Sequence, residues 1–212
     1  MNNRRSFIIG LKSLKLSAKE RIFLKEFKPW GVILFARNIK NIKQASNLTS
    51  SIRKIFNDRK YPILIDQEGG RVNRLKNLIS FDNLTSEFFG NKYINDLKEF
   101  KIYYKLFIDK TSYLLRSIGA NINTVPVLDL RIKGASNVIG DRSFSADPKI
   151  VSRIGDYCIK YYHENGIGTV IKHIPGHGLA KVDSHYKLPI IDKDLKYLKK
   201  YDFFPFTKKK SV

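Results

Sequence analysis

The chain has 212 residues, 42% of them hydrophobic, one cysteine, and a formal net charge of +21 from 40 basic against 19 acidic side chains. A chain of this length buries roughly 70% of its unfolded surface without a disulfide framework, and no stretch approaches the ~20 consecutive apolar residues of a membrane span. The lysines are scattered, with no nucleic-acid motif and no aromatic-interleaved basic patch, so the charge is read as solvated surface; neither nucleic acid nor a membrane is expected as a partner.

The first segment, MNNRRSFIIGLKSLKLS, starts basic, but Lys12 breaks its apolar run too early for a secretory signal, so a cytoplasmic location is the expectation. Residues 6–13 read as a strand and 17–27 as a helix opened by Ser17 with Glu20 at capping-box spacing. A strand at 31–36, a helix at 42–58 and a strand at 61–67 follow. Then come a long helix at 94–118, a strand at 120–130, a helix at 147–165 and a strand at 168–174, with Gly119 and Gly166 as helix stops. Cys158 falls on the apolar periodicity of IVSRIGDYCIKYY and reads as a buried thiol.

The strands are short, β-branched and nearly continuous in hydrophobicity, as parallel strands covered on both faces should be. Arg37-Asn38, Asp66, Asp129 and a histidine-rich segment all follow strand C-terminal ends, where barrels and open α/β sheets alike place their sites. No Gly-rich phosphate loop is present, so the fold class expected is α/β of the (β/α)₈ TIM-barrel type, with about the first five strands in a single, incomplete domain over 1–212.

The segment KHIPGHGLAKVDSH (172–185) holds three of the four histidines. His173 and His177, four apart, suggest zinc with Asp183 and His185 as further ligands, but Pro175, Gly176 and Gly178 argue against the helix that would put both imidazoles on one face. The second reading pairs Asp183 with His185 in DSH. An aspartate bound to one imidazole nitrogen fixes the tautomer and raises the basicity of the other, making a general acid/base. Alone, DSH is a weak signal that a turn-capping aspartate beside an exposed histidine would also explain.

GVILFARNI (31–39), IDQEGGRVNRLK (65–76), PVLDL (126–130), DRSFSADP (141–148) and KHIPGHG with DSH, in this order, resemble the N-terminal part of the bacterial β-N-acetylhexosaminidases of glycoside hydrolase family 3. The resemblance implies that His185 is the acid/base and Asp183 its partner. It implies that Asp66, Arg74, Arg142, Lys172 and His173 bind the sugar, with no metal and no cofactor. The substrate class it implies is N-acetylglucosamine β-1,4-linked to anhydro-muramic acid in cell-wall turnover fragments. Glu68-Gly69-Gly70 reads as a tight structural turn, His177 as a loop-ordering residue and Asp129 as strand-end scaffold.

Retaining glycosidases set two carboxyl groups about 5 to 5.5 Å apart. In the family the nucleophilic aspartate follows a later barrel strand, in a segment of the type ISDD, and no such segment occurs before Val212. Five expected strands against the eight of a full barrel give the same impression of a truncated domain, and TKKKSV (207–212) matches no family pattern. Two expectations follow: descent from a retaining β-N-acetylhexosaminidase, and a polypeptide that by itself is inactive, at most binding N-acetylglucosamine or pairing with a separately encoded C-terminal piece.

Overall fold

The computed structural model describes residues 4–182 and 186–207. Five parallel strands pair in sequence order, each with its predecessor: β1 (Arg5–Gly10), β2 (Pro29–Leu34), β3 (Ile63–Ile65), β4 (Ile122–Asn123) and β5 (Gly168–Thr169). Register runs Ile9 to Val32, Ile33 to Leu64, Leu64 to Ile122 and Ile122 to Gly168. Sequential parallel neighbours with crossover helices are the barrel-type winding expected, and β1 and β5 are the edges of the described sheet.

The crossovers are α1 (Ala18–Phe27), α2 (Ile42–Phe56), α3 (Ser86–Asn95), α4 (Leu97–Ile118) and α5 (Pro148–Glu164), followed by α6 (Leu195–Lys200) and α7 (Phe204–Thr207). Ser17 and Glu20 form the capping box at α1, and Gly119 closes α4 at φ +79°. Leu24 and Ile52, Phe100, Ile108, Leu115 and Ile118 of α4, and Val151, Ile154 and Tyr162 of α5 pack with Val32, Leu34, Ile63 and Ile65 in one core. Each fully buried aliphatic side chain contributes about 1.5–3 kcal/mol. Cys158 is a buried thiol in that core, as its periodicity implied. No helix among the described residues is long and apolar enough to cross a membrane.

Several elements differ from expectation, the strands at 61–67 and 168–174 being confined to Ile63–Ile65 and Gly168–Thr169. The helix at 94–118 starts three residues later, because the Asp96 carboxylate accepts the amides of Lys98 and Glu99 and caps a new helix at Leu97; the residues before it belong to α3, capped by Thr85. The strand at 120–130 contracts to Ile122–Asn123 because Pro126 has no N–H to donate. Pairing resumes beyond it as an isolated bridge from Val127 to Lys172, with the Leu128 amide donating to the Lys172 carbonyl at 2.8 Å.

Gly90 of α3 lies against the carbonyl of Phe144, which a Cβ would approach to 1.7 Å. Gly90→Ala must therefore push α3 away from the loop ahead of α5, and a loss of about 1–3 kcal/mol is expected in urea unfolding. An unchanged midpoint would show that the two segments yield freely.

Candidate active site

The site lies where the C-terminal ends of β3, β4 and β5 meet. Asp66 follows β3 directly. Its Oδ1 accepts from the Thr124 hydroxyl, one residue past β4, and from Lys172 Nζ at 3.0 Å, while Oδ2 lies 3.9 Å from Arg74 Nη2. Burial alone would raise this carboxyl; Lys172, Thr124 and Arg74 outweigh it and hold it below the usual aspartate range.

Arg74 is placed by its neighbours in the motif. Buried Gln67 exchanges hydrogen bonds with the Asn123 side chain across β3 and β4, and its side-chain oxygen accepts the amides of Arg74 and Leu75 at 2.9 and 3.1 Å. Gly69, at φ +100°, makes the intervening turn; a side chain there would meet both the left-handed backbone and the Leu84 carbonyl at 2.2 Å. The Arg74 guanidinium sits 5.6 Å from the Phe35 ring centroid at the end of β2. Arg37 and Asn38, beside it, serve another purpose: both donate to the Leu11 carbonyl and latch the ends of β1 and β2.

Glu68 does more than complete a turn. Its side chain is 3% exposed and receives Arg142 through two bonds, Nε to Oε2 at 2.8 Å and Nη2 to Oε1 at 2.9 Å, and Lys172 Nζ at 2.6 Å. Burial pushes the Glu68 carboxyl up, but Arg142 and Lys172 prevail and keep it below the ordinary value. The same pairing raises Arg142 against the effect of its own burial. Arg74, Asp66, Lys172, Glu68 and Arg142 thus form a row of alternating charge, each group fixed by the next.

The loop that delivers Arg142 is held from the β3 side as well. Arg71 Nη2 donates to the carbonyls of Asn137, Val138 and Ile139 at 2.6, 2.9 and 2.9 Å, and its Nε pairs with Asp141 at 3.0 Å. Ser143 Oγ donates to the Asp129 carbonyl at 2.6 Å.

Asp129 is wholly buried. It accepts His173 Nδ1 at 2.6 Å and the His173 amide at 3.2 Å on Oδ2, and the His177 amide at 2.7 Å on Oδ1. Arg142 Nη2 is 3.5 Å from His173 Nε2. A guanidinium can only donate, so the network assigns the proton to Nδ1 and leaves Nε2 as an acceptor on a half-exposed ring. Residues 173–178 form turns, with no helix to align His173 and His177, and no cluster of three or more metal-ligating side chains occurs among the described residues.

Of the residues singled out in the sequence, Asp66, Arg74, Arg142, Lys172 and His173 converge here. Asp183 and His185 lie outside the described residues. Sequence reasoning gave no site role to Glu68, Arg71 or Thr124. Glu68 and Arg71 had a signal, their place in the IDQEGGR motif; Thr124 had only its position one residue beyond a strand end.

Residues 8–209 match the family model described as the glycosyl hydrolase family 3 N terminal domain. The chain is 36% identical over 182 residues to Beta-hexosaminidase A of Pseudoalteromonas piscicida, covering 83% of this chain and 30% of that protein. It is 33% identical over 201 residues to a Beta-hexosaminidase of Xanthomonas euvesicatoria pv. vesicatoria, covering 94% of this chain and 58% of that protein. Among solved structures, NagZ from Neisseria gonorrhoeae in complex with N-trifluoroacetyl-D-glucosamine superimposes with a TM-score of 0.87 at 30% identity, over 96% of this chain and 59% of that one. The chain thus spans well under two thirds of the length of these relatives. Its motifs, its sheet and a match over nearly all of its length agree: the chain belongs to glycosyl hydrolase family 3.

Proposed function

We propose that this chain carries the N-acetylglucosamine-recognition apparatus and the acid/base half of a retaining β-N-acetylhexosaminidase. The observation that carries the reading is the row Arg74–Asp66–Lys172–Glu68–Arg142 beside the His173–Asp129 pair. A pyranose presents adjacent hydroxyls, each both donor and acceptor. Asp66 can accept from two of them, Arg74, Arg142 and Lys172 can donate, and His173 Nε2 offers a further acceptor. The relative solved with N-trifluoroacetyl-D-glucosamine supports an N-acylated glucosamine as the ligand class.

On this reading His185 gives a proton to the leaving glycosidic oxygen and later takes one from water, with Asp183 balancing the imidazolium. The substrate class is N-acetylglucosamine β-1,4-linked to anhydro-muramic acid in cell-wall fragments recycled in the cytoplasm. A retaining mechanism also needs a carboxylate nucleophile. Asp66, Glu68 and Asp129 are each occupied by cationic or N–H donors, which favours a second reading for these 212 residues alone: sugar binding without turnover, or pairing with a separate C-terminal piece.

Titration of the purified chain with N-acetylglucosamine, followed by NMR, is expected to show saturable binding at millimolar concentration, lost in Asp66→Ala. Incubation with a chromogenic N-acetyl-β-glucosaminide is expected to release no aglycone. Release that disappears in His185→Ala would overturn the second reading, and absence of binding would overturn the first.

A further inference from the structure

The turn 173–178, which presents His173, is gripped from two sides. Asp129 takes the His173 and His177 amides. On the other side stands Asp202, in the turn between α6 and α7, with only 1% of its surface exposed. The Gly178 amide faces this carboxylate and partly offsets the effect of its burial. A Cβ on Gly176 would fall 2.4 Å from Asp202 Oδ2, and Gly176 has φ +140°, so the backbone is pressed directly onto the carboxylate. Gly178 is seated in turn on the backbone of Leu130, whose carbonyl a Cβ would approach to 2.5 Å. The second Asp202 oxygen, Oδ1, is buried without a partner among the described residues.

A buried carboxyl with an unpartnered oxygen is a costly way to fill space. Burial, and then the like charge of Asp129, push the Asp202 carboxyl up to about 6. An apolar side chain would cover the same turn without that cost, but it could not accept the Gly178 amide.

We propose that Asp202 is a positioning residue: with Asp129 it forms a two-carboxylate clamp on the turn 173–178, and so fixes the presentation of the His173 imidazole to the sugar. The role of His173 rests on the function proposed above; the clamp itself does not.

The test uses the ¹⁵N-labelled 212-residue chain with Asp202→Ala and Asp202→Asn. In wild type the Gly178 amide is expected to be protected from hydrogen exchange, and the His173 ring to show the Nδ1–H tautomer. Asp202→Ala should speed exchange at Gly178 and His177 at least tenfold, move the His173 imidazole signals toward a tautomer mixture, and raise the Kd for N-acetylglucosamine at least tenfold. Asparagine retains an acceptor of the same size and should rescue exchange and tautomer together. An unprotected Gly178 amide in wild type would overturn the proposal, as would wild-type imidazole signals in Asp202→Ala or equal loss in both variants. Should the alanine variant fail to fold, Gly178 protection in wild type and its survival in the asparagine variant decide the matter. Wild-type failure to bind sugar would count against the proposed function, whereas exchange and tautomer need no sugar and still report on Asp202.

Discussion

Glu68→Gln is expected to lower the unfolding free energy by about 3–5 kcal/mol, the usual result of removing one partner from a buried ion pair. Glu68 is nearly inaccessible and meets two cations at once. Glutamine keeps the shape but brings one acceptor and one donor group to a place where Arg142 and Lys172 supply donors only. Both cations are then left underpaired, and both are proposed sugar contacts, so affinity for N-acetylglucosamine should fall tenfold or more, about 1.4 kcal/mol. Urea unfolding and an NMR titration measure the two effects; a stability within about 0.5 kcal/mol of wild type would sink the argument. The pH dependence has a definite sign. The Glu68 and Asp66 carboxyls are held below their ordinary values of 4.5 and 3.8, so their contribution is complete above those values and is lost as pH falls through the folded-state values. Wild type should lose stability steeply in acid, and Glu68→Gln less so.

Asp129→Asn should be almost as damaging although it is isosteric. Asp129 accepts N–H groups on both oxygens, whereas an asparagine can present its oxygen to only one side and must turn its NH₂ toward a donor on the other. If the oxygen faces His173, the His177 amide is orphaned. If it faces His177, the His173 proton is driven to Nε2, against the Arg142 guanidinium 3.5 Å away. Either arrangement is expected to cost about 3 kcal/mol, the upper range for one hydrogen bond to a charged group. It should also change the ¹⁵N signature of the His173 ring and weaken sugar binding. A variant with wild-type stability and an unchanged tautomer would show that Asp129 is not what orients this imidazole.

The winding and most of the site could be read from the chain, for a physical reason. Buried parallel strands leave continuous apolar runs, and polar residues that follow them at the same end converge whatever lies between; Asp66 and Lys172, 106 residues apart, meet at 3.0 Å on that logic. Harder to read were features that depend on who faces whom. Glu68 looks like part of a glycine turn until Arg142 and Lys172 are seen to close on it from the β4–α5 connection and the segment past β5. The break at Asp96 is masked in the sequence because apolar residues continue on both sides of it, although Asp96 with Glu99 has the same capping spacing as Ser17 with Glu20. The fourth strand is shorter than its apolar run because Pro126 within that run has no N–H to donate.

The alternating row has a bearing on ionic strength. Asp66, Glu68 and Asp129 stand against Arg74, Arg142 and Lys172, so the cleft is close to electroneutral inside a chain of net charge +21. An uncharged sugar, the ligand proposed above, would gain nothing from the surrounding positive field and would have to be selected by hydroxyl geometry. Salt screens the outer surface charge over about 8 Å at physiological ionic strength, while the short, partly buried pairs that shape the cleft are scarcely screened. The protein can therefore be strongly cationic without its cleft becoming an anion trap.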